Sequence, residues 1–449
     1  MGEWILISAL GLGGLVLAIG WPVWALVTIV ALQLMPNLGI VERLSALHLV
    51  AAYGVVVALR LFIRPPPGRI SPSALRWLVL VFASFGLLSV VWATNPTTAL
   101  VAALFKHGKV MGFAWLVSLF LRRRVELLGM LYVVVVIGVL GTLMTLYGVI
   151  VLGVHEAEGA IGLQTNSNGN AFFFLLILPL AYALMRGAEG KILRMALMAS
   201  LALFTVGILA TGSRSAMLAT GVLWILLLLR DGKSLALYGA VLLGVLGLAL
   251  ALPYMQENVE HLKNLKQLGQ KRVEERSLAG RKSLLEKGIA AFLDRPLVGY
   301  GLENGEIAVT ERMYGRALTR SDTARMQAAT GSQWWDLHDT FLTVAVDLGM
   351  IGLGLFLAIC IAAVRAAANL TYSEAVAADP YLFALGRYLP AGMLAVFLML
   401  LFATQHHSAL LWVLLFIPAV VRNVLANASA ERAVEVPITP RAGWLRTAG

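Results

Sequence analysis

The sequence predicts an all-α polytopic membrane protein with 12–13 transmembrane helices and one large, partly helical insert on the outer face. Three observations carry this. The chain is 59% hydrophobic and only 13% charged, whereas soluble domains hold about a quarter charged residues. Apolar runs approaching twenty residues, the helical length that crosses a bilayer, recur along it. Basic loops alternate with loops almost free of Lys and Arg. The runs are continuous and do not alternate in polarity, which excludes a transmembrane β-barrel.

The apolar runs fall near residues 4–20, 22–37, 44–63, 74–92, 97–121, 125–152, 169–185, 193–210, 214–229, 234–252, 339–365, 382–404 and 408–425. The break at Gly20-Trp21-Pro22 allows one span or two before residue 40, so the side of the N-terminus stays open. Arg64 to Arg69, Arg122 to Arg124, Arg186 to Arg194, Arg230 to Lys233, the Arg365 loop and the Arg422 tail are basic and read as inner. The loops near Asn95, Asn168, Ser213 and His407 alternate with them and read as outer. Four regions follow: N-terminal transmembrane helices over 1–252, an outer loop domain over 253–337, C-terminal transmembrane helices over 338–425, and a polar inner tail over 426–449.

The net charge of +11 would point to nucleic acid in a soluble protein. Here short inner loops account for it, and no long basic run is interleaved with aromatics, so nucleic-acid binding is excluded. The single Cys360 precludes an intrachain disulfide. The N-terminus lacks a basic n-region and a small-residue cleavage site and reads as mature sequence.

Polar residues from distant parts of the chain fall toward the outer face. His338 opens a span, and Arg214 opens another after Thr211-Gly-Ser213, a turn able to present N–H groups to an anion. Asn168 ends the preceding outer loop, His406 and His407 occupy the last outer turn, and Arg281 lies before an expected helix at 282–293. Lys106, His107 and Lys109 interrupt an apolar helix, where ionisable groups are costly and face a cavity or a partner. Each has a plainer reading. Arg214 can snorkel to headgroups, Arg281 can sit on a solvated helix face, and either lysine can be a structural partner. Adjacent His406 and His407 lack the i, i+4 spacing of a helical chelate. No Asp-x-Asp, Walker loop or Cys/His cluster occurs, so the sequence calls for no metal and no cofactor.

Taken in order, Leu88-Ser-Val-Val-Trp92-Ala-Thr-Asn-Pro96, Lys106, Asn168, Thr211-Gly-Ser-Arg214, Arg281, Asp294-Arg-Pro296-Leu-Val-Gly-Tyr-Gly301, His338-Asp-Thr-Phe-Leu342 and Asp347-Leu-Gly349-Met-Ile-Gly352 form a recognisable set over residues 70–425. The set resembles the O-antigen ligase and O-antigen polymerase superfamily of bacterial inner membranes. The resemblance implies a multi-pass, metal-independent glycosyltransferase of the GT-C type with its active site facing the periplasm. Its donor would be a glycan on undecaprenyl diphosphate, a lipid carrier and not a cofactor. A ligase passes the glycan to a sugar hydroxyl of lipid A-core, and a polymerase passes it to another lipid-linked repeat.

On that expectation His338 is the general base, since imidazole suits proton abstraction near neutral pH. Arg214 and Arg281 clamp the diphosphate, with Lys106 or Lys109 also facing it. Asn168, Ser213, His406 and His407 are supporting residues. Asp339 stands where the family often has Asn, and Asp347 where it often has Glu. Asp339 either orients His338 or caps the following helix. One direct displacement would invert the anomeric configuration. The reading from another class is a lipid-linked glycan flippase, favoured by span number and Lys106 but opposed by the missing internal repeat.

Overall fold

The computed structural model describes residues 13–14, 16–34, 49–151, 167–232, 270–319 and 336–435. About 82% of this is helix, and the described residues contain no strand. The helices are α1 (Pro22–Leu34), α2 (Leu49–Ile63), α3 (Ala74–Leu88), α4 (Pro96–Val101), α5 (Gly108–Phe120), α6 (Arg124–Ile150), α7 (Ser167–Gly187), α8 (Lys191–Ala210) and α9 (Arg214–Asp231). They continue with α10 (Gln270–Asp294), α11 (Gly305–Tyr314), α12 (Thr340–Ala368), α13 (Glu374–Ala377), α14 (Pro380–Leu400) and α15 (Ala409–Glu435). A π-helical turn, Ala102–His107, joins α4 to α5 as one continuous rod.

Among the described residues, eight helical segments are long and apolar enough to cross a membrane. The protein is a multi-pass membrane protein. Helices α1 and α2 are shorter, and α9 carries Arg214, Arg230 and Asp231 at its ends. The expected run at 234–252 and most of that at 4–20 lie outside the described residues.

Helix α7 is the centre of the bundle, with 94% of its apolar window buried, against 33% for α3 and 39% for α8. It packs against α14, α8, α6 and α9. Where α7 carries Pro179, α14 presents Gly392, and a Cβ there would run into the proline ring. Small residues bring helices together in lipid because close van der Waals contact, not water release, drives their association.

The loops expected to share a side are tied to one another. At the basic end, Arg124 pairs with Asp379, and Arg186 with Asp231 at 3.0 Å. Tyr182 and Tyr388 donate to Asp231 at 2.6 and 2.5 Å. Arg122 donates to the carbonyls of Pro66 and Gly68, and Asn427 clasps Arg69 through its backbone N–H and carbonyl. The last contact belongs to a corrected element. Helix α15 runs to Glu435, past the boundary expected at 425, because Leu425-Ala-Asn-Ala-Ser-Ala continues with strong helix formers and Asn427 is anchored. Residues 436–449 lie outside the described residues.

At the opposite end, α12 breaks at Gly349, whose φ of 65° and ψ of −166° are open to glycine and strained for other residues. The segment 296–304 threads into the break. Met350 N–H donates to the Pro296 carbonyl at 2.7 Å, Tyr300 N–H to Val346 at 3.0 Å, and Gly301 N–H to Asp347 at 2.8 Å. A Cβ at Gly349 would overlap the Leu297 carbonyl, and one at Gly299 (φ 68°) would overlap that of Asp347. Trp92 Nε1–H and Thr94 N–H hold the other side of the segment, on Val298 and Tyr300. Three stretches that the sequence only sets in order are therefore one layered unit.

Candidate functional site

Glu303 is the hub of this unit. Its φ of 59° is left-handed for a non-glycine residue, a conformation that concentrates at functional sites. Asp347 holds it there, accepting Glu303 N–H at 2.9 Å and Gly305 N–H at 2.7 Å across the start of α11. The shorter Asp suffices because the break at Gly349 brings α11 against α12, and a Cβ at Gly305 would already lie 2.7 Å from its carboxylate.

The Glu303 carboxylate points at the π turn. Lys106 Nζ lies 2.6 Å from Oε2, His107 Nε2 lies 2.8 Å from Oε1, and His406 Nε2 approaches Oε1 at 3.7 Å. An ionised carboxylate only accepts, so His107 donates through Nε2. The π turn lets two consecutive side chains reach one carboxyl group, and such turns recur at functional sites. Burial alone would push the Glu303 carboxyl up, but the imidazoles of His107 and His406 and the Lys106 charge hold it well below the usual range. Glu306, one turn on, moves the other way. Burial and the nearby charges of Glu303 and Asp336 hold its carboxyl well above the ordinary value. Burial and the Lys106 charge likewise keep the His407 ring neutral.

Beside this cluster lies His338, half exposed, in a turn with φ 53°. Its partner is Asp336. Asp336 Oδ1 accepts His338 N–H at 2.9 Å and the Thr404 hydroxyl at 2.5 Å, while Oδ2 lies 3.4 Å from His338 Nδ1. Thr340 fastens the same turn to the loop before α15, donating to the Ala403 carbonyl and accepting Gln405 N–H. Asp339 takes the second of its two expected roles. It caps α12 by accepting Leu342 N–H at 3.0 Å, and burial pushes its carboxyl up, which opposes service as an anionic partner.

The other expected residues divide. Asn168 and Ser213 meet, with the Ser213 hydroxyl 2.7 Å from Asn168 Oδ1, and Ser213 caps the helix that Arg214 begins. Arg214 is exposed at that polar end. Lys106, His406 and His407 belong to the cluster. Lys109 is exposed and makes none of the cluster's ion pairs. Arg281 lies inside α10 and not before a helix, because the helical run starts well upstream at Gln270; its side chain lies outside the described residues.

His107, Glu303 and His406 offer three donor atoms within 4.8 Å, the one such grouping among the described residues. The two rings are stacked, however, 12° from parallel with centroids 4.7 Å apart. An imidazole lone pair lies in its ring plane, so an ion in the plane of one ring would sit off the plane of the other. Lys106 already neutralises the carboxylate. As folded, the arrangement suits a shared proton and an ion pair better than a chelate.

Residues 199–357 match the family described as O-antigen ligase. The matched domain covers part of the chain, from within α8 to within α12. The matched stretch holds Arg214, Arg281, Glu303, His338 and Asp347, whereas Lys106, His107 and His406 come to the site from outside it. The domain supports a ligase- or polymerase-type activity on lipid-linked glycan. A comparison with curated proteins gives no match. Glu303 and Asp336 were both missed by sequence reasoning. The signal for Glu303 was a carboxylate bracketed by glycines in Gly301-Leu-Glu-Asn-Gly305; that for Asp336 was its spacing of two from His338.

Proposed function

We propose that this protein is an O-antigen ligase, moving a glycan from undecaprenyl diphosphate to a sugar hydroxyl of lipid A-core at the periplasmic face of a bacterial inner membrane. The observation that carries the reading is that the Lys106–Glu303 pair and Asp336, the partner of His338, both lie close enough to Glu306 to act on its charge. The family domain contributes one part of that grouping and the N-terminal helices the other.

His338 takes the proton of the attacking hydroxyl. Arg214 and Arg281 receive the negative charge that develops on the departing diphosphate, as planar donors suited to phosphate oxygens. Lys106, kept in place by Glu303, adds a point charge at the same end. Lys109 serves at most as an outer contact for the lipid carrier. The scheme is a single displacement of the GT-C type, inverting and without a metal ion, since two guanidinium groups can meet the leaving-group charge.

The test is expression in a ligase-deficient strain. A lipopolysaccharide ladder on lipid A-core is expected, and its loss in His338→Ala, a fall of about 10²–10⁴ in rate. A change confined to the length of lipid-linked chains would replace ligase by polymerase. Retention of the anomeric configuration would overturn the single displacement.

A further inference from the structure

We propose that Asp336 is a positioning residue that sets the tautomer of His338, and that Thr404 decides which carboxylate oxygen does so. The proposal rests on the reading of His338 as the base. The Asp336 carboxylate has only acceptor sites. Oδ1 is filled by two donors, His338 N–H at 2.9 Å and the Thr404 hydroxyl at 2.5 Å. Oδ2 is left facing His338 Nδ1 at 3.4 Å. An acceptor in that position calls for a proton on Nδ1. Nε2 then keeps its lone pair for the acceptor sugar.

The same contacts keep the backbone in place. His338 sits at φ 53°, and the side-chain acceptor two residues earlier is what stabilises such a turn. Thr404 is buried and comes from the loop before α15, so this loop reaches His338 through Asp336. In the transfer step, the acceptor O–H bond breaks and its proton goes to Nε2. The oxygen bonds to the anomeric carbon, and the carbon–oxygen bond to the diphosphate breaks with its electron pair leaving on phosphate oxygen. The imidazolium so formed keeps its second N–H against Oδ2.

The decisive variant is Asp336→Asn. Its amide oxygen must stay with the two donors that Oδ1 now serves, which turns the NH₂ group toward Nδ1. Nδ1 then has to accept, and Nε2 carries the proton. The expected result in purified protein is a fall in kcat of about 10²–10⁴ with KM little changed. Asp336→Glu should restore part of the rate. Thr404→Val should lower kcat about tenfold and leave KM unchanged, a smaller loss than the amide causes.

His338→Ala separates the two levels. If it is inactive while Asp336→Asn keeps the wild-type kcat, the positioning role is overturned and the ligase reading stands. Full activity in His338→Ala overturns both. If Asp336→Asn does not purify as a folded protein, Thr404→Val decides, and an unchanged kcat there overturns the proposal.

Discussion

The basic and polar ends of the bundle both bury charged side chains, and they use them in opposite ways. At the basic end, Arg122, Arg124, Arg186 and Asp231 are tied to neighbouring helix ends or carbonyls. Arg76 is likewise held by Ser118 Oγ at 3.0 Å, the carbonyls of Ser71 and Ser118, and Asn423. The result is a clamp in which donors and acceptors are matched. At the polar end the matching is incomplete. His406 is buried, yet neither ring nitrogen has a hydrogen-bond partner, and the same holds for His407 Nδ1. Glu303 and His338 both adopt left-handed backbone conformations. Backbone strain gathers at the polar end, while the basic end is spent on holding the helices.

The sharpest way to break the comparison is to remove one charge from each end. Glu303→Ala leaves the buried His107 ring without its acceptor, which the half-exposed Arg124 has no counterpart for, and should lower unfolding stability by about 1–3 kcal/mol. Arg124→Ala removes a pair whose arginine is 46% exposed, and should cost about 0–1 kcal/mol. Chemical or thermal unfolding in the same detergent would measure both, and equal losses would dissolve the distinction.

Gly349→Ala tests whether the break in α12 holds the polar end together. A methyl group there meets the Leu297 carbonyl and forces a β-carbon into a left-handed conformation, for a loss of about 1–3 kcal/mol. Ligation should fall with it, while accessibility of the basic-end loops to proteolysis stays unchanged.

The smallest expected effect concerns Glu306. Its carboxyl is held above its ordinary value of 4.5, so the fold prefers it protonated. Stability is therefore lost as pH rises from the ordinary value through the raised one, and Glu306→Gln removes that loss. The variant should unfold at a higher temperature than wild type at about pH 8, with a smaller difference at about pH 5. Glu303 carries the reverse sign. Its contribution is complete above the ordinary carboxylate value and disappears only as pH falls well below it.

How much of this was legible depends on the kind of physics involved. Lys106 stood out because a charge inside an apolar run is conspicuous by composition alone, and its partner did have to exist. That the partner is Glu303, 197 residues away, was not readable, because a glutamate among the charges of the outer segment looks solvated. Asp339 was legible as a cap, since a carboxylate before an apolar helical run accepts from the first turn whatever packs around it. Asp336 was not, because its role depends on Thr404 arriving from the turn between the last two spans.

The sequence by itself determined the helical membrane class, the set of basic loops that gather at one end and the family match over residues 199–357, since hydrophobic length, loop charge and local motif spacing act within a few turns of chain. Only the tertiary structure decided that Gly349 opens α12 to the 296–304 segment, that Glu303 gathers Lys106, His107 and His406, and that Asp336 faces His338. These are contacts between groups whose pairing is set by how helices stack, and stacking is fixed by side-chain fit between distant segments, which no local pattern encodes.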